Sequence, residues 1–412
     1  MNSEHKRKIL VIPSWYPTAH HPLTGSFFRE QADLLNGIFD VRVLYGVKES
    51  LSRGKYIKAL LGNVITSGSL FCIKQGMLIT PPTGIGFSFF GDWPLGERVK
   101  LKVLIGCYEK GLRFLMDRKW KPDLIHAQST VYGGIVASQL GSKYKIPVMI
   151  TEHQKFLLNN YSVFLQKEIF SALEKAEIVS TVSMDKMKII LMHGIKCDPV
   201  VVGNMVDERR FQGELRKNHH KPFRILVVAS NSFIKDLYTF FRAIKNLVDR
   251  HHDDFRAIII GLGVWGDLRS EYKEFAKSLG LENKCKFIDV VSRDNMSAHY
   301  NECDVFVSTS IAETFQISIL EALACGKFVV STANGGAEEM ITPENGILTK
   351  IRDHHAIADA IIKVKTGAVS YDPQKIRADA VTRFGREVFT DRIAKLYEEA
   401  INKGNIKRRS TA

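Results

Sequence analysis

The chain has no apolar run approaching the roughly 20 residues that a membrane-spanning helix needs; stretches such as AIII at 257–260 and VFV at 305–307 are typical. Near the start, the basic residues of MNSEHKRKILVIPSWYP are followed only by ILVI, too short for the apolar region of a secretory signal, which points away from export. Six cysteines (Cys72, Cys107, Cys197, Cys285, Cys303, Cys325) stand far apart with no CxxC. That spacing argues against a zinc site and a disulfide framework, and suits a reducing cytoplasm. The 13 histidines include four adjacent pairs, none placed with other ligands at metal spacing, and no Asp-x-Asp occurs. There is no short-period repeat, no low-complexity segment, and no helix-turn-helix, zinc-finger or aromatic RNA-binding signature.

What is present is length, a balanced core and an uneven charge. At 412 residues and 45% hydrophobic, the chain exceeds one ordinary core and points to two domains. Residues 1–205 hold 26 Lys and Arg against 16 Asp and Glu, a surplus of ten, which leaves four of the net +14 for the rest. A basic first half suits an anionic partner: a membrane surface, a phosphorylated acceptor or, last in order, nucleic acid.

Strands and helices alternate almost throughout. KILVIPS, DVRVLYG, PDLIHAQ, PVMITEH, EIVSTVS and DPVVVGN read as strands in the first half, separated by helical patterns at 25–36, 97–119, 132–144, 163–175 and 183–192. FRILVVAS, FRAIIIGLG, KCKFIDVV, CDVFVSTS and KFVVSTA are the strands of the second. Near-continuous apolar strands between helices indicate parallel sheets buried on both faces, hence two doubly wound α/β domains. The polar stretch NMVDERRFQGELRKNHHKP marks the seam. The predicted organisation is 1–205, 206–385, and a terminal helix with a basic tail over 386–412, packing back on the first domain.

Two constellations compete for the functional site. Gly261-x-Gly263-x-x-Gly266 follows a strand, opens a helix and is followed by a strand ending at Asp289, which matches a dinucleotide fingerprint. It lies on the second strand of the second half, so a plain glycine turn is the alternative. The other is ETFQISILEALACG, with Glu313 and Glu321 eight positions apart. Glu313 should lie in the loop at the carboxyl end of DVFVSTS, where open α/β sheets bind ligands. A helix starting near Thr314 to Gln316 would offer free amides to phosphate oxygens. Glu321 would face inward, where a carboxylate can accept two ribose hydroxyls. A first-turn dipole partner and a solvated helix residue are the bland readings of the same pair.

ETFQISILEALACGKFVVSTANGGAEEMITPENGIL resembles the E-x7-E region of glycosyltransferase family 4, the retaining transferases of the GT-B fold. IPSWYPTAHHPLTGSFFREQADLL, PDLIHAQSTVYGG, PVMITEH, VVGNMVDERRF, VVASNSFIKDLYTFFRAI and IIIGLGVWGDL are similar to successive segments of the same family, so the resemblance spans nearly the whole chain. It implies two Rossmann-like domains facing a central cleft. It also implies that Glu313 holds the donor sugar's hydroxyls, with the backbone of Thr314, Phe315, Gln316 and Ile317 near sugar and diphosphate. Glu321 would bind the ribose, Lys235 would neutralise the departing diphosphate, and Gly25 would let the first domain's loop approach the phosphates. His153 would sit beside the reacting carbon and His126 on the acceptor side.

Three positions depart from the family pattern. Ser230 stands where an arginine is usual, Gln316 where a glycine is common, and Gln128 where many members have a second histidine. Gln316 is expected to narrow the sugar pocket or add an amide contact to it. The chemistry needs a cation and helix dipoles aimed at a leaving diphosphate rather than a metal clamp or a carboxylate nucleophile opposite an acid.

The expected function is metal-independent, retaining hexosyl or N-acetylhexosaminyl transfer from a nucleoside-diphosphate sugar, UDP ahead of GDP, with no cofactor. The expected acceptor is a glycan or lipid-linked glycan in bacterial surface polysaccharide assembly, lipopolysaccharide or capsule. Two basic-apolar stretches, GKYIKALLGNVITSGSLFCIK and RVKLKVLIGCYEKGLRFLMDRKWK, could rest on an anionic bilayer, giving a cytoplasmic protein peripheral to the inner face of the plasma membrane. A nicotinamide-dependent oxidoreductase and a non-catalytic sugar-nucleotide binder are the rival functions.

Overall fold

A computed structural model describes residues 6–18, 23–49, 84–90, 96–213, 221–263 and 268–410. The first basic-apolar stretch, 54–74, and Gly266 lie outside these. The chain divides into two compact units, one of Met1–Val182, Lys186–Val202 and Thr390–Ala412, the other of Ser183–Asp185 and Gly203–Phe389.

Unit 1 carries a seven-stranded sheet: β1 (Lys8–Pro13), β2 (Asp40–Glu49), β3 (Gly84–Phe90), β4 (Leu124–Gln128), β5 (Val148–Glu152), β6 (Ile178–Thr181) and β7 (Val200–Val201). Their order is β3-β2-β1-β4-β5-β6-β7, and every pairing is parallel. The helices are α1 (Ser26–Leu35), α2 (Glu97–Asp117), α3 (Ile135–Tyr144), α4 (Val163–Lys175) and α5 (Met184–Met192), the last beginning within the short stretch that groups with unit 2. β4 and β5 are buried at all five positions and β1 at five of six, because covered faces on both sides leave no room for a polar alternation. The second basic-apolar stretch forms α2, whose Leu101, Leu104, Leu112 and Leu115 lie in the core beside Trp120.

Unit 2 repeats the plan with β8 (Phe223–Val228), β9 (Phe255–Ile260), β10 (Cys285–Ile288), β11 (Val305–Ser308), β12 (Val329–Thr332) and β13 (Gly346–Thr349). The parallel order is β10-β9-β8-β11-β12-β13. Its helices are α6 (Leu237–Asp249), α7 (Arg269–Ser278), α8 (Arg293–Glu302), α9 (Ile317–Ala324), α10 (His354–Lys365) and α11 (Pro373–Phe384). In each sheet the strand order reverses once, at β1/β4 and at β8/β11, and such switch points are where open α/β sheets take their ligands.

The last helix, α12 (Arg386–Ser410), begins in unit 2, where Arg386 pairs with Asp207 at 3.1 Å, and continues in unit 1 from Thr390. Ile393, Tyr397, Ala400 and Ile401 are its buried face, and Gly404 lies so near Pro147 that a Cβ there would come within 2.7 Å of the ring. Among the described residues no helix is long and apolar enough to cross a membrane.

His126, expected on the acceptor side, belongs instead to this core. It lies mid-strand in β4 at 1% exposure, opposite Val11 and Met149. Its Nδ1 is hydrogen-bonded to the Tyr397 hydroxyl at 2.8 Å and its Nε2 to Thr151 Oγ1 at 2.7 Å, with Ser180 extending the chain. Nδ1 ties α12 to the sheet and Nε2 is spent on the neighbouring strand β5, which leaves neither ring nitrogen for a substrate. Tyr397→Phe should therefore strand a buried nitrogen and cost about 1–3 kcal/mol. The expected result is a lower melting temperature together with faster amide exchange along α12; an unchanged melting temperature would refute the tether.

Candidate active site

The polar ends of β8 and β11 converge at the unit 2 switch point. After β8 the chain forms a 3-10 turn at Phe233–Lys235 and enters α6 at Asp236, whose carboxylate caps Thr239. After β11 it crosses beside that turn. Thr309 Oγ1 donates to the carbonyls of Lys235 and Asp236, each at 3.0 Å, and Ile311 N donates to Ile234 O at 2.7 Å. These cross-links bring Lys235 Nζ to 2.6 Å from Glu313 Oε1, with the two side chains 21% and 13% exposed. Residues 78 positions apart thus form one ion pair at the mouth of the sheet.

The segment from Glu313 to α9 is fixed by a second set of bonds. Glu313 N donates to Asn334 O at 2.8 Å. Phe315 is 1% exposed and packs edge-on against Phe384, so its side chain belongs to the core and only its backbone is available to a ligand. Gly336 fits against that backbone, since a Cβ there would lie 2.8 Å from Phe315 N. Gln316 occupies the left-handed region (φ 60, ψ 76) directly before α9. That conformation is one a glycine adopts freely, and a glutamine there needs support. Its Nε2 donates to Ser308 Oγ at 2.5 Å and its Oε1 accepts from Asn334 Nδ2 at 3.0 Å. The Gln316 amide thus braces the loop beside the position that the family resemblance gives to the sugar. α9 then begins at Ile317, with Thr314 in the preceding turn; Ile319 N donates to Gln316 O at 3.0 Å, and the amides of Ile317 and Ser318 ahead of it are the helix's leading donors.

Glu321 lies in the second turn of α9, 5% exposed. Tyr300 donates its hydroxyl to Oε2 at 2.8 Å, and Arg293 approaches Oε1 at 2.9 Å. Burial and the adjoining carboxylate hold the Tyr300 phenol well above its ordinary pKa, so it remains a donor. Neither Tyr300 nor Arg293 stood out in the sequence; their side chains meet Glu321 only because α8 precedes β11 and α9 follows it. Ser230, just past β8, accepts the Ser232 amide on its carbonyl at 2.8 Å, and its side chain is half-buried.

Unit 1 has its own cluster at the β1/β4 switch point. Gly25 caps α1 with φ 68, and a Cβ there would come 2.8 Å from the Trp15 ring. His153, just past β5 and 7% exposed, meets Gln128 Oε1 through Nε2 at 2.6 Å, and Gln128 Nε2 donates to Gln31 Oε1 at 3.4 Å. Phe28 packs edge-on against the imidazole with centroids 4.8 Å apart. Gln128, which stands where many family members have a second histidine after His126, thus orients His153.

The glycine fingerprint follows β9, one strand away from the switch point. A Cβ at Gly261 would lie 2.8 Å from Ala229 O, Gly263 N donates to Asp289 O at 3.0 Å, and the Asp289 carboxylate pairs with Arg269 at 2.6 Å. Among the described residues, Gly261 and Gly263 thus serve close packing and Asp289 an ion pair, the plain glycine turn that was the alternative to a dinucleotide site.

The model for glycosyl transferases group 1 matches residues 208–380, and that for Glycosyltransferase Family 4 matches residues 98–210. The chain belongs to the family 4 glycosyltransferases. An uncharacterized glycosyltransferase of Methanocaldococcus jannaschii is 28% identical over 43% of this chain and 45% of its own length. The amylovoran biosynthesis glycosyltransferase AmsK of Erwinia amylovora is 26% identical over 51% and 53%. The chain therefore spans about half the length of these two relatives. Among solved structures, Anabaena HepE in complex with UDP and glucose superposes with a TM-score of 0.69 at 19% identity, covering 96% of this chain and all of that one. The fold of this family 4 protein is GT-B.

Both buried imidazoles are neutral at physiological pH. Burial pushes His126 and His153 from 6.5 down to about 3. A folded-state pKa below the unfolded value means that the unfolded chain takes up the proton first. Stability is then complete above about pH 6.5 and declines as pH falls towards 3, by up to about 1.4 kcal/mol per pH unit for each histidine. Urea midpoints should fall between pH 6.5 and 5, and less steeply in His126→Gln; identical slopes in the two proteins would show that His126 is not held neutral.

Proposed function

We propose that the protein transfers a hexosyl or N-acetylhexosaminyl group from a nucleoside-diphosphate sugar to a glycan or lipid-linked acceptor, with retention of anomeric configuration. The observation that carries this reading is the Lys235–Glu313 pair, set beside the first amides of α9 at the β8/β11 switch point. A cation next to a carboxylate matches a donor that is anionic at its diphosphate and rich in hydroxyls at its sugar. Lys235 moves to the diphosphate, the α9 amides share its charge, and Glu313 is released to accept hydrogen bonds from the sugar. Glu321, steadied by Tyr300 and Arg293, accepts from the ribose hydroxyls; a carboxylate has about four lone-pair positions, so capacity remains beyond those two donors. HepE, a structural relative, binds UDP and UDP-glucose, and this supports UDP as the carrier.

In the reaction the bond from the anomeric carbon to the β-phosphate oxygen breaks and one from that carbon to the acceptor oxygen forms on the same face. The acceptor's proton passes to the departing phosphate. Glu313, held for hydroxyls, is not asked to be a nucleophile. In unit 1, Gly25 and neutral His153, which Gln128 holds through Nε2, are the residues that the family resemblance assigns to the donor phosphates and the reacting sugar. AmsK is named an amylovoran biosynthesis glycosyltransferase, and with that relative in support we place this protein in bacterial surface polysaccharide assembly. Peripheral contact with the inner face of the plasma membrane through unit 1's basic surface would bring a lipid-linked acceptor within reach.

Release of UDP or GDP from a panel of nucleotide sugars tests the reading, with extracts of bacterial surface glycolipid as acceptor. One donor should be consumed; Lys235→Ala should lower kcat about 10²–10³-fold, and EDTA should leave the rate unchanged. Nucleotide binding without turnover on any donor would leave a non-catalytic binder. Loss of activity on chelation would remove Lys235 from its role as principal counter-charge.

A further inference from the structure

Asn231 holds a buried carboxamide that the fold does not use. It lies just past β8 at the same switch point, four residues before Lys235, and is 4% exposed. Neither its Nδ2 nor its Oδ1 has a hydrogen-bond partner among the described residues. Neighbouring backbone and side-chain groups are committed to building the turn. Ser230 O accepts from Ser232 N, Ser232 Oγ accepts from Ile234 N, and Ser232 O accepts from Lys235 N at 2.9 Å. Ala229 N donates to Ile260 O, and the Asp236 carboxylate caps α6. A buried amide with both ends unpaired destabilises the folded chain, and a leucine of nearly the same shape would avoid that loss.

We propose that Asn231 is a donor-binding residue whose Nδ2 donates to the diphosphate of the nucleotide sugar, beside Lys235. The inference rests on the transferase reading and extends it to a residue that neither the sequence motifs nor the ion pair singles out. An amide carries two donors and no charge, so it can hold a phosphate oxygen without adding a second cation against Glu313. The half-buried hydroxyl of Ser230 offers one donor at the adjacent position; Asn231 offers two from a site already withdrawn from water, where a hydrogen bond to an anion is stronger. Because the side chain is covered, contact requires a local shift ahead of the Ile234, Lys235 and Asp236 carbonyls that are stitched to the β11 loop. Phe233, 61% exposed at the crest of the Phe233–Lys235 turn, is not anchored in the core.

The test is calorimetric titration of the full chain with UDP, GDP, ADP, uridine and inorganic pyrophosphate, on wild type, Asn231→Leu and Asn231→Asp. Asn231→Leu should unfold no earlier than wild type yet bind the preferred nucleoside diphosphate and pyrophosphate about tenfold more weakly, with uridine unaffected. Asn231→Asp, which keeps the shape and places a negative charge against the diphosphate, should lose more, about a hundredfold. Unchanged diphosphate affinity in either variant would overturn the proposal and leave the amide to internal water. An equal loss for uridine would move the contact to the nucleoside, which also overturns it. If wild type binds none of the three diphosphates, the transferase reading itself fails and takes this inference with it.

Discussion

Lys235 and Glu313 meet because two loops are stitched together by hydrogen bonds to backbone carbonyls, and the chemistry proposed for unit 2 depends on that stitching. Thr309 bonds the carbonyls of Lys235 and Asp236, and Ile311 bonds that of Ile234, so the β8 and β11 loops behave as one piece. The pair they produce is mostly withdrawn from water. Such a pair adds little net stability, since desolvation offsets much of the attraction. Its value lies in storing a cation and a carboxylate in position. An incoming diphosphate competes for the lysine, and the freed carboxylate meets the sugar, so both charges exchange partners without being exposed alone.

Polar side chains at two positions where the chain departs from the family pattern serve as braces. Gln316 takes a left-handed conformation and holds it by bonding Ser308 and Asn334, while Asn334 bonds the amides of Gly336 and Ala337. Gln128 performs the corresponding task in unit 1 by fixing His153. The same logic separates the two histidines. His153 lies past the end of β5, where a polar group can face a ligand. His126 lies inside β4, where its neighbours on both sides are strands and its nitrogens are consumed by Tyr397 and Thr151.

The fold was largely legible because parallel strands covered on both faces leave dense β-branched runs, and KILVIP, FRILVV and FRAIII stand out as such. α4 at 163–175 and α2 from 97 also stand where their helical periodicity places them. β3 and β13 were missed for physical reasons. GIGFSFF alternates glycine and serine with Ile85, Phe87 and Phe89, but its glycines are depleted in strands and read as a turn, and GILT is four residues long at a sheet edge, shorter than any useful pattern. Site residues on the Glu313 segment were readable from their place after an apolar strand. Tyr300, Arg293 and Asn231 were not, because their importance comes from contacts or unmet hydrogen bonds that only the packed chain defines.

The central claim is a division of labour: Lys235 serves the phosphate and Glu313 the sugar, although each holds the other before the donor arrives. Comparing UDP and UDP-glucose affinities in Lys235→Met and Glu313→Gln measures it directly. The account predicts that Lys235→Met weakens both ligands alike, whereas Glu313→Gln leaves UDP bound as well as in wild type or better and weakens only the sugar nucleotide. Equal weakening of UDP by both substitutions would contradict it, because the pair would then be acting as one structural unit and not as two contacts waiting for different ends of a donor.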